Sequence, residues 1–295
     1  MDISCHSGPA GGRGRAVRGV PPGPTVQNAL PAGLTEPSRP VAARVLPGAE
    51  AFRFDGGPSG FLLQHGFTGC PASMLPFGRW LSSKGFSVIG PRLPGHGTTW
   101  EDLETTTWRN WESESEAALL DLASRCDTVI AVGLSMGGAM VLHLGAKHPD
   151  KLKGIVTINA DVRRPELVLT PVVRLFMRTA KGVGNDIKKP GQDEIVYERV
   201  PLRAASQLGK FYRVVQRELP SMRLPLLVFS SVEDHLVKPS NSKYVYERAG
   251  SDRKELVPLL NSYHVATLDF DAGAIFERTL EFADELTAGR PRASA

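Results

Sequence analysis

The chain has 295 residues, of which 41% are hydrophobic and 22% charged, a balance typical of a globular protein that buries a sizeable core. Its net charge of +4 comes largely from arginines in the first 45 residues, so the remainder is near neutral and nucleic acid is not expected as a partner. No apolar run reaches the length of a membrane span. Cys5, Cys70 and Cys126 lack metal-ligand or disulfide spacing, which favours a reducing, cytoplasmic location.

Composition divides the chain into three parts. Residues 1–45 are rich in Gly, Pro and Arg and poor in aromatic residues, which predicts a disordered N-terminal extension. Its composition is compatible with a targeting peptide and also with an extended or mis-assigned translation start. Residues 46–288 alternate short apolar strands with amphipathic helices, which predicts one α/β domain. Residues 289–295 are predicted to form a flexible tail.

The predicted strands and helices follow the order of a mostly parallel sheet covered by helices on both faces. Apolar runs predict strands at 61–66, 86–93, 127–134, 152–160, 225–234 and 254–261. Helical patterns occur at 74–85 and 272–287, and on a helix where Trp108 and Trp111 share one face. These tryptophans are expected to pack in the core.

A cap insertion is predicted at about 161–220, where strand patterns give way to helical stretches interrupted by prolines. Apolar side chains crowd the stretch from Leu167 to Met177. They can line a slot for an apolar ligand or pack on the sheet, and the sequence leaves both alternatives open.

The stretch Gly133-Leu134-Ser135-Met136-Gly137 fits the pattern G-x-S-x-G at the junction of the strand 127–134 and a helix that opens at Met136. A strand-to-helix turn of this kind brings the backbone close to itself, and glycines at 133 and 137 avoid the collision. The position predicts a nucleophilic serine. A structural serine that caps the helix is the alternative.

A serine nucleophile needs a base and an acid that orients the base, in the chain order Ser, Asp or Glu, His. His264, which follows the last strand, is the predicted base. Three other downstream histidines lie too early in the chain or too close to the acid for this role: His143, His148 and His235.

The acid is expected at the end of the strand 225–234, where Asp234 is favoured and Glu233 is the alternative. Three other aspartates are expected to be solvated turn or helix residues: Asp252, Asp269 and Asp271. The oxyanion needs two backbone donors, which we assign to the N–H groups of Met136 and Phe67. His65 and His96 are expected to be structural.

Five motifs, "HGFTG", "RLPGHG", "GLSMGG", "EDHLV" and "NSYHVATLDFD", resemble the α/β-hydrolase superfamily over about residues 50–288, and most resemble bacterial monoacylglycerol lipases and related carboxylesterases. The resemblance implies an α/β-hydrolase fold with the triad Ser135, Asp234 and His264 and the oxyanion hole of Phe67 and Met136. It also implies a cap glutamate that contacts the glycerol hydroxyls. This aligns with Glu194, and Asp193 is the neighbouring alternative.

The residues and the resemblance together predict a serine hydrolase without metal or cofactor. It is expected to cleave carboxylic esters, above all monoacylglycerols to fatty acid and glycerol, through an acyl-enzyme on Ser135. The alternatives are a general short-chain carboxylesterase or thioesterase, an acyltransferase, and a non-catalytic ligand-binding protein of the same fold. The expected partner is a small acyl ester, with transient membrane or micelle contact through the cap. The oligomeric state stays open.

Overall fold

The computed structural model describes residues 43–182 and 184–287. All of them belong to the second of two units of the chain, which begins at Ala43. The predicted N-terminal extension lies outside the described residues except for its last three positions, and the predicted C-terminal tail lies outside them entirely. The division into extension, hydrolase domain, cap and tail stays a prediction.

The described residues form nine strands and eight α-helices. The strands are β1 (Phe52–Phe54), β2 (Ser59–Gln64), β3 (Ser87–Gly90), β4 (Thr128–Leu134), β5 (Gly154–Ile158), β6 (Thr179–Lys181), β7 (Arg199–Pro201), β8 (Leu226–Ser231) and β9 (Lys254–Leu259). The helices are α1 (Leu75–Ser83), α2 (Trp100–Thr105), α3 (Trp108–Arg125), α4 (Met136–Lys147), α5 (Thr170–Val173), α6 (Leu202–Glu218), α7 (Ser240–Arg248) and α8 (Ala272–Thr287).

Seven strands form one sheet in the order β1-β3-β2-β4-β5-β8-β9. Strand β1 pairs antiparallel with β3, and every other pair in this sheet is parallel. The mostly parallel sheet is therefore confirmed, and all six predicted strands are present in it. Strand β1 was not predicted, since three residues are too few to show an alternating pattern.

The sheet separates two apolar cores. Successive residues of a strand face opposite sides of a sheet. Accordingly, Val129 and Ala131 of β4 join the cluster formed with α3, α4 and α6, whereas Ile130 and Val132 join the cluster formed with α1 and α8. As predicted, Trp108 and Trp111 lie in the first of these cores.

The region predicted to be a helical cap also contains strands. We call its first part, residues 161–201, the cap segment. The cap segment contains a 3₁₀ turn (Pro165–Leu169), the single turn α5 and an antiparallel ribbon of β6 and β7. The ribbon was not predicted, because its strands have three residues each. Helix α6 packs into the core against α3 and α4.

No helix in the described part of the chain combines the length and the apolar character that crossing a membrane requires.

Candidate active site

Ser135 occupies the sharp turn between β4 and α4, with φ 57° and ψ −121°. A Cβ atom on Gly133 would lie 2.1 Å from the carbonyl oxygen of Gly137, and one on Gly137 would lie 2.2 Å from that of Gln64. Both glycines are therefore required for the backbone to make this turn. The Ser135 side chain makes no capping hydrogen bond to α4, so the alternative of a helix-capping serine finds no support.

His264 and Asp234 come together at the carboxyl edge of the sheet. The Nδ1 atom of His264 lies 2.8 Å from Oδ2 of Asp234, and the two side chains are buried. The other carboxylate oxygen of Asp234 accepts hydrogen bonds from the N–H groups of Leu236 and Val237. Glu233, the alternative acid, is exposed and instead pairs with Lys188.

The surroundings of His264 favour its protonated form. Burial alone would lower the pKa of the imidazole, but the hydrogen bond and charge of Asp234, together with the charges of Glu194 and Asp161, raise the pKa above its usual 6.5. Ser135 and His264 line the same cavity. Within the described residues, no hydrogen bond joins the side chains of Ser135 and His264. In serine hydrolases the distance between nucleophile and base is often long before substrate binds.

The two predicted oxyanion donors lie beside the nucleophile. Met136 is the first residue of α4, and Phe67 lies in the loop after β2, whose Gly66 is so close that a Cβ there would lie 3.2 Å from Ser135 Cβ. Among the hydrogen bonds of the described residues, neither the Phe67 nor the Met136 N–H has an acceptor. Both donors are thus available to a ligand.

His65 fixes this loop, which agrees with the structural role expected for it. Its Nδ1–H donates to the carbonyl oxygen of Gly66 at 2.8 Å, and its Nε2 accepts from the N–H of Leu93 at 3.2 Å. Burial lowers the pKa of the imidazole to about 4, so the ring stays neutral and keeps this pair of bonds.

Asn159 holds the loop that carries His264, a contact that was not predicted from the sequence. It is buried with φ 48°, and its Nδ2 donates to the carbonyl oxygen of His264 at 2.8 Å and to Oγ of Ser231. Its Oδ1 accepts from the N–H of Ser231. An asparagine at the end of a predicted strand, a residue type that tolerates this backbone region, was the available signal.

A cavity of about 530 Å³ opens beside Ser135 and His264. One part of its wall is polar and includes Glu194, Asp161 and Arg164. The other part is apolar: Leu167, Val173, Val196, Val200, Leu202 and Leu208. A polar end and an apolar slot beside one nucleophile suit a ligand with a polar head and an apolar chain.

Glu194 reaches the cavity, whereas the neighbouring Asp193 is exposed and accepts a hydrogen bond from Nδ2 of Asn185 at 2.6 Å. Burial raises the pKa of the Glu194 carboxyl to about 7, and the nearby His264 opposes this rise. Of the two aligned alternatives, the geometry favours Glu194.

Asp161 and Arg164 were also missed. Arg164 Nε contacts Oδ2 of Asp161 at 2.5 Å, and its Nη2 donates to the carbonyl oxygen of Leu236 at 3.0 Å. Asp161 lies three residues after the end of β5, and its N–H donates to the carbonyl oxygen of Ser135 at 3.1 Å. The pair thereby connects the start of the cap segment with the loop that carries Asp234.

Most apolar side chains of the stretch from Leu167 to Met177 are exposed, and Leu167 packs against the core cluster of α3, α4 and α6. Leu167 and Val173 reach the cavity, while most of the remaining apolar side chains face outward. Phe176 is 84% exposed and Leu175 73% exposed. We call the outward-facing side chains the apolar patch: Val168, Leu169, Val172, Leu175, Phe176 and Met177.

Comparison with known proteins agrees with this geometry. Residues 61–181 match a family described as alpha/beta hydrolase fold, and residues 184–271 match one described as serine aminopeptidase, S33. A thermostable monoacylglycerol lipase from Bacillus sp. (strain H-257) is 43% identical over 240 residues, which cover 81% of this chain and 95% of that enzyme. A carboxylesterase from Bacillus subtilis (strain 168) is 28% identical, over 80% of this chain and 96% of the relative.

Solved structures show the same fold. A metagenome-derived lipolytic enzyme superposes with a TM-score of 0.80 at 39% identity, over 82% of this chain and all of its own. A monoglyceride lipase from Saccharomyces cerevisiae superposes with a TM-score of 0.66 at 15% identity, over 83% of this chain and 97% of its own, and at that identity it supports the fold alone.

The fold and the strand–turn–helix site define an enzyme of the hydrolase class. The chain belongs to the α/β-hydrolase family. The fold predicted from the sequence motifs, and their resemblance to monoacylglycerol lipases and carboxylesterases, are confirmed.

Proposed function

We propose that this chain hydrolyses carboxylic esters through an acyl-enzyme on Ser135, with His264 as base and Asp234 as the acid that orients it. The observation that carries the proposal is the 2.8 Å contact between His264 Nδ1 and Asp234, beside a serine held in a strand-to-helix turn. A serine hydroxyl is a weak nucleophile at neutral pH, and a base oriented in this way activates it.

The roles of the atoms follow from their partners. Because Nδ1 of His264 is engaged by Asp234, Nε2 is left to take the proton from Ser135 Oγ as this oxygen attacks the ester carbonyl. The N–H groups of Phe67 and Met136 stabilise the oxyanion. His264 then gives the proton to the leaving alcohol, and water activated by the same imidazole releases the acid and frees Ser135.

Monoacylglycerols are the proposed substrates. A relative 43% identical to this chain is named a monoacylglycerol lipase, and the cavity combines an apolar wall with the carboxyl group of Glu194. In this arrangement the acyl chain lies along the apolar wall, and Glu194 hydrogen-bonds the glycerol hydroxyls. A hydroxyl can donate to the carboxylate or accept from the carboxylic acid, so Glu194 serves in either protonation state.

A general carboxylesterase is the second candidate, since a 28% identical relative is named a carboxylesterase. Turnover of a 1-monoacylglycerol against the methyl ester of the same fatty acid separates the two. We expect a higher kcat/KM for the glycerol ester. Equal values would leave the ester hydrolase in place and remove the monoacylglycerol assignment.

The catalytic assignment is tested with Ser135→Ala, which we expect to abolish hydrolysis of a short nitrophenyl ester and labelling by a fluorophosphonate probe. Removing a triad nucleophile typically costs about 10⁶ in turnover. Ser83→Ala, at an exposed serine near the end of α1, is the matched control and should behave as wild type. A folded Ser135→Ala protein with wild-type turnover would remove Ser135 from the mechanism, and failure of the wild type to label would favour the non-catalytic alternative.

The proposal extends to where the enzyme works. The apolar patch beside the cavity supports transient contact with membranes or micelles that hold the substrate. Cys70 and Cys126 are free thiols, in keeping with a cytoplasmic location, and Cys5 lies outside the described residues.

A further inference from the structure

Asp186 of the cap segment contacts both loops that carry the proposed acid and base. Its Oδ2 accepts hydrogen bonds from the N–H groups of His264 and His235, each at 3.2 Å. Its Oδ1 lies 2.8 Å from Nδ1 of His235, the residue after Asp234. Its carbonyl oxygen accepts from the N–H of Val265 at 3.1 Å.

A second carboxylate makes the opposite connection. Asp269, which follows the His264 loop, accepts from the N–H groups of Lys188 and Lys189 in the cap segment at 2.7 and 2.9 Å. It also accepts from the N–H of Tyr263 at 2.9 Å. Asp269 is 2% exposed, so the expectation that it is a solvated turn residue is wrong.

The two aspartates thus form a reciprocal clasp, in which each segment supplies a carboxylate to backbone N–H groups of the other. Ile187, between the clasp residues of the cap segment, packs against the core cluster of α1 and α8. Hydrogen bonds from N–H groups to carboxylates are about twice as strong as those between neutral groups. The clasp therefore fixes the His264 loop from the cap side, while Asn159 holds its carbonyl from the sheet side.

We propose that Asp186 is a positioning residue of the reaction: it sets the relative placement of the Asp234 and His264 loops through backbone hydrogen bonds and does not itself contact substrate. Asp186 is not among the residues that line the cavity. This inference rests on the proposed function, since it assigns a purpose to the placement of His264 relative to Ser135. A misplacement of about 1 Å of a catalytic group can cost about 100-fold in rate.

The test compares Asp186→Leu, of similar size but without an acceptor, with Asp186→Asn, whose amide oxygen can still accept both backbone N–H groups. With a soluble nitrophenyl ester, we expect D186L to lower kcat about 10- to 100-fold, with KM within about threefold of wild type. We expect D186N to stay within about threefold of wild type in both constants. Glu198→Leu, which removes an exposed carboxylate of the same cap segment, is the matched control.

Fluorophosphonate labelling gives a second readout. The labelling rate constant refers to folded molecules, so a reduced folded fraction does not change it. Asp186→Ala, which also lacks the acceptor, is measured in parallel, and the same results are expected as for D186L. Wild-type kcat in D186L and D186A, an equal loss in D186N and D186L, or a rise in KM without a fall in kcat would overturn the positioning role. Failure of the proposed function is distinguishable, because it is an inactive wild type or an active Ser135→Ala protein, whatever residue stands at 186.

Discussion

The backbone of Gly69 lies directly against the carboxyl group of Glu194: a Cβ atom on Gly69 would stand 2.7 Å from Glu194 Oε1. Gly69 is not among the glycines with positive φ, so alanine suits its backbone, and the carboxyl group at the end of a flexible side chain has to move. We expect Gly69→Ala to raise KM for a 1-monoacylglycerol about fivefold, the worth of one hydrogen bond of about 1 kcal/mol, and to leave the methyl ester of the same acid unaffected.

The matched control for this variant is Gly273→Ala in α8, where an added Cβ meets nothing within 4 Å. Both variants are compared by steady-state kinetics on the two esters and by thermal unfolding. An equal change in KM for both esters of Gly69→Ala would contradict a role of this contact in glycerol recognition.

Glu194 also acts on the titration of His264. The base must be neutral to accept the serine proton, so kcat/KM should rise with pH through the pKa of His264, which is raised above 6.5. The charge of Glu194 contributes to that rise after the larger effects of burial, which lowers the pKa, and Asp234, which raises it. Glu194→Gln should therefore move the acid limb of kcat/KM for a nitrophenyl ester to lower pH.

This second prediction is measured as a pH profile, with Glu166→Gln as control. Glu166 lines the same cavity but is not among the main groups that shift the pKa of His264. An acid limb that stays in place or moves to higher pH in Glu194→Gln would contradict the predicted coupling.

A largely buried cluster outside the active-site cavity, formed by His143, Glu112 and Glu218, makes stability depend on pH. His143 Nδ1 lies 2.6 Å from Glu218 Oε2, and its Nε2 lies 2.9 Å from Glu112 Oε1. Burial would lower the pKa of His143, but its hydrogen bonds to Glu218 and Glu112 raise it overall. The stabilisation is therefore complete below the usual pKa of 6.5 and lost as pH rises through the raised pKa of the folded state.

Glu112 has the opposite dependence. Burial would raise its pKa, but hydrogen bonds from His143, Arg109 and Lys147 lower it to about 2, so its contribution to stability is present above pH 4.5 and lost as pH falls towards 2.

The dependence on His143 is measured by urea unfolding. The difference in free energy of unfolding between wild type and His143→Gln should be larger at pH 6 than at pH 9. Glu114→Gln, an exposed position on the same helix as Glu112, is the control. A difference independent of pH would contradict this prediction.

The apolar patch predicts a difference between dispersed and aggregated substrates. Burying an exposed Leu or Phe side chain contributes about 1.5–3 kcal/mol. Leu175→Ser with Phe176→Ser should therefore weaken binding to phospholipid vesicles by about tenfold or more, and lower turnover of micellar substrate while leaving monomeric short esters unaffected.

Leu260→Ser is the control for the patch, since Leu260 is 67% exposed and lies outside the cap segment. Vesicle co-sedimentation and kinetics on both sides of the critical micelle concentration give the two readouts. Unchanged sedimentation of the double variant would remove the apolar patch as a membrane-contacting surface.

The parts of the molecule that the sequence predicted are those where one local pattern dictates one structure. Glycines on both sides of Ser135 at the end of an apolar run fit a strand-to-helix turn, because a Cβ atom at Gly133 or Gly137 would collide with the neighbouring backbone. The long apolar runs predicted the six main strands in the same way. The short strands β1, β6 and β7 were not predicted, because three residues are too few to show the alternating pattern of a strand.

Asp186 and Asn159, which hold the His264 loop, were not predicted from the sequence for a different reason. Asp186 contacts the N–H of His264, a residue 78 positions away, and Asn159 contacts its carbonyl oxygen from 105 positions away. Backbone groups are present at every residue, so the identity of the partner gives no pattern to detect. Asp269 shows the same effect, since its acceptor role is invisible until the fold brings Lys188 and Tyr263 to it.

The strained backbone of Ser135 lowers the stability of the folded protein, which matters for any attempt to make the protein more heat-resistant. Its φ of 57° and ψ of −121° lie outside the regions that residues with a Cβ atom favour, and such conformations typically cost about 1–3 kcal/mol. Glycine at this position would release that strain and remove the hydroxyl at the same time. Selection for heat resistance alone would therefore favour an inert protein, so thermostability screens of this chain have to include turnover.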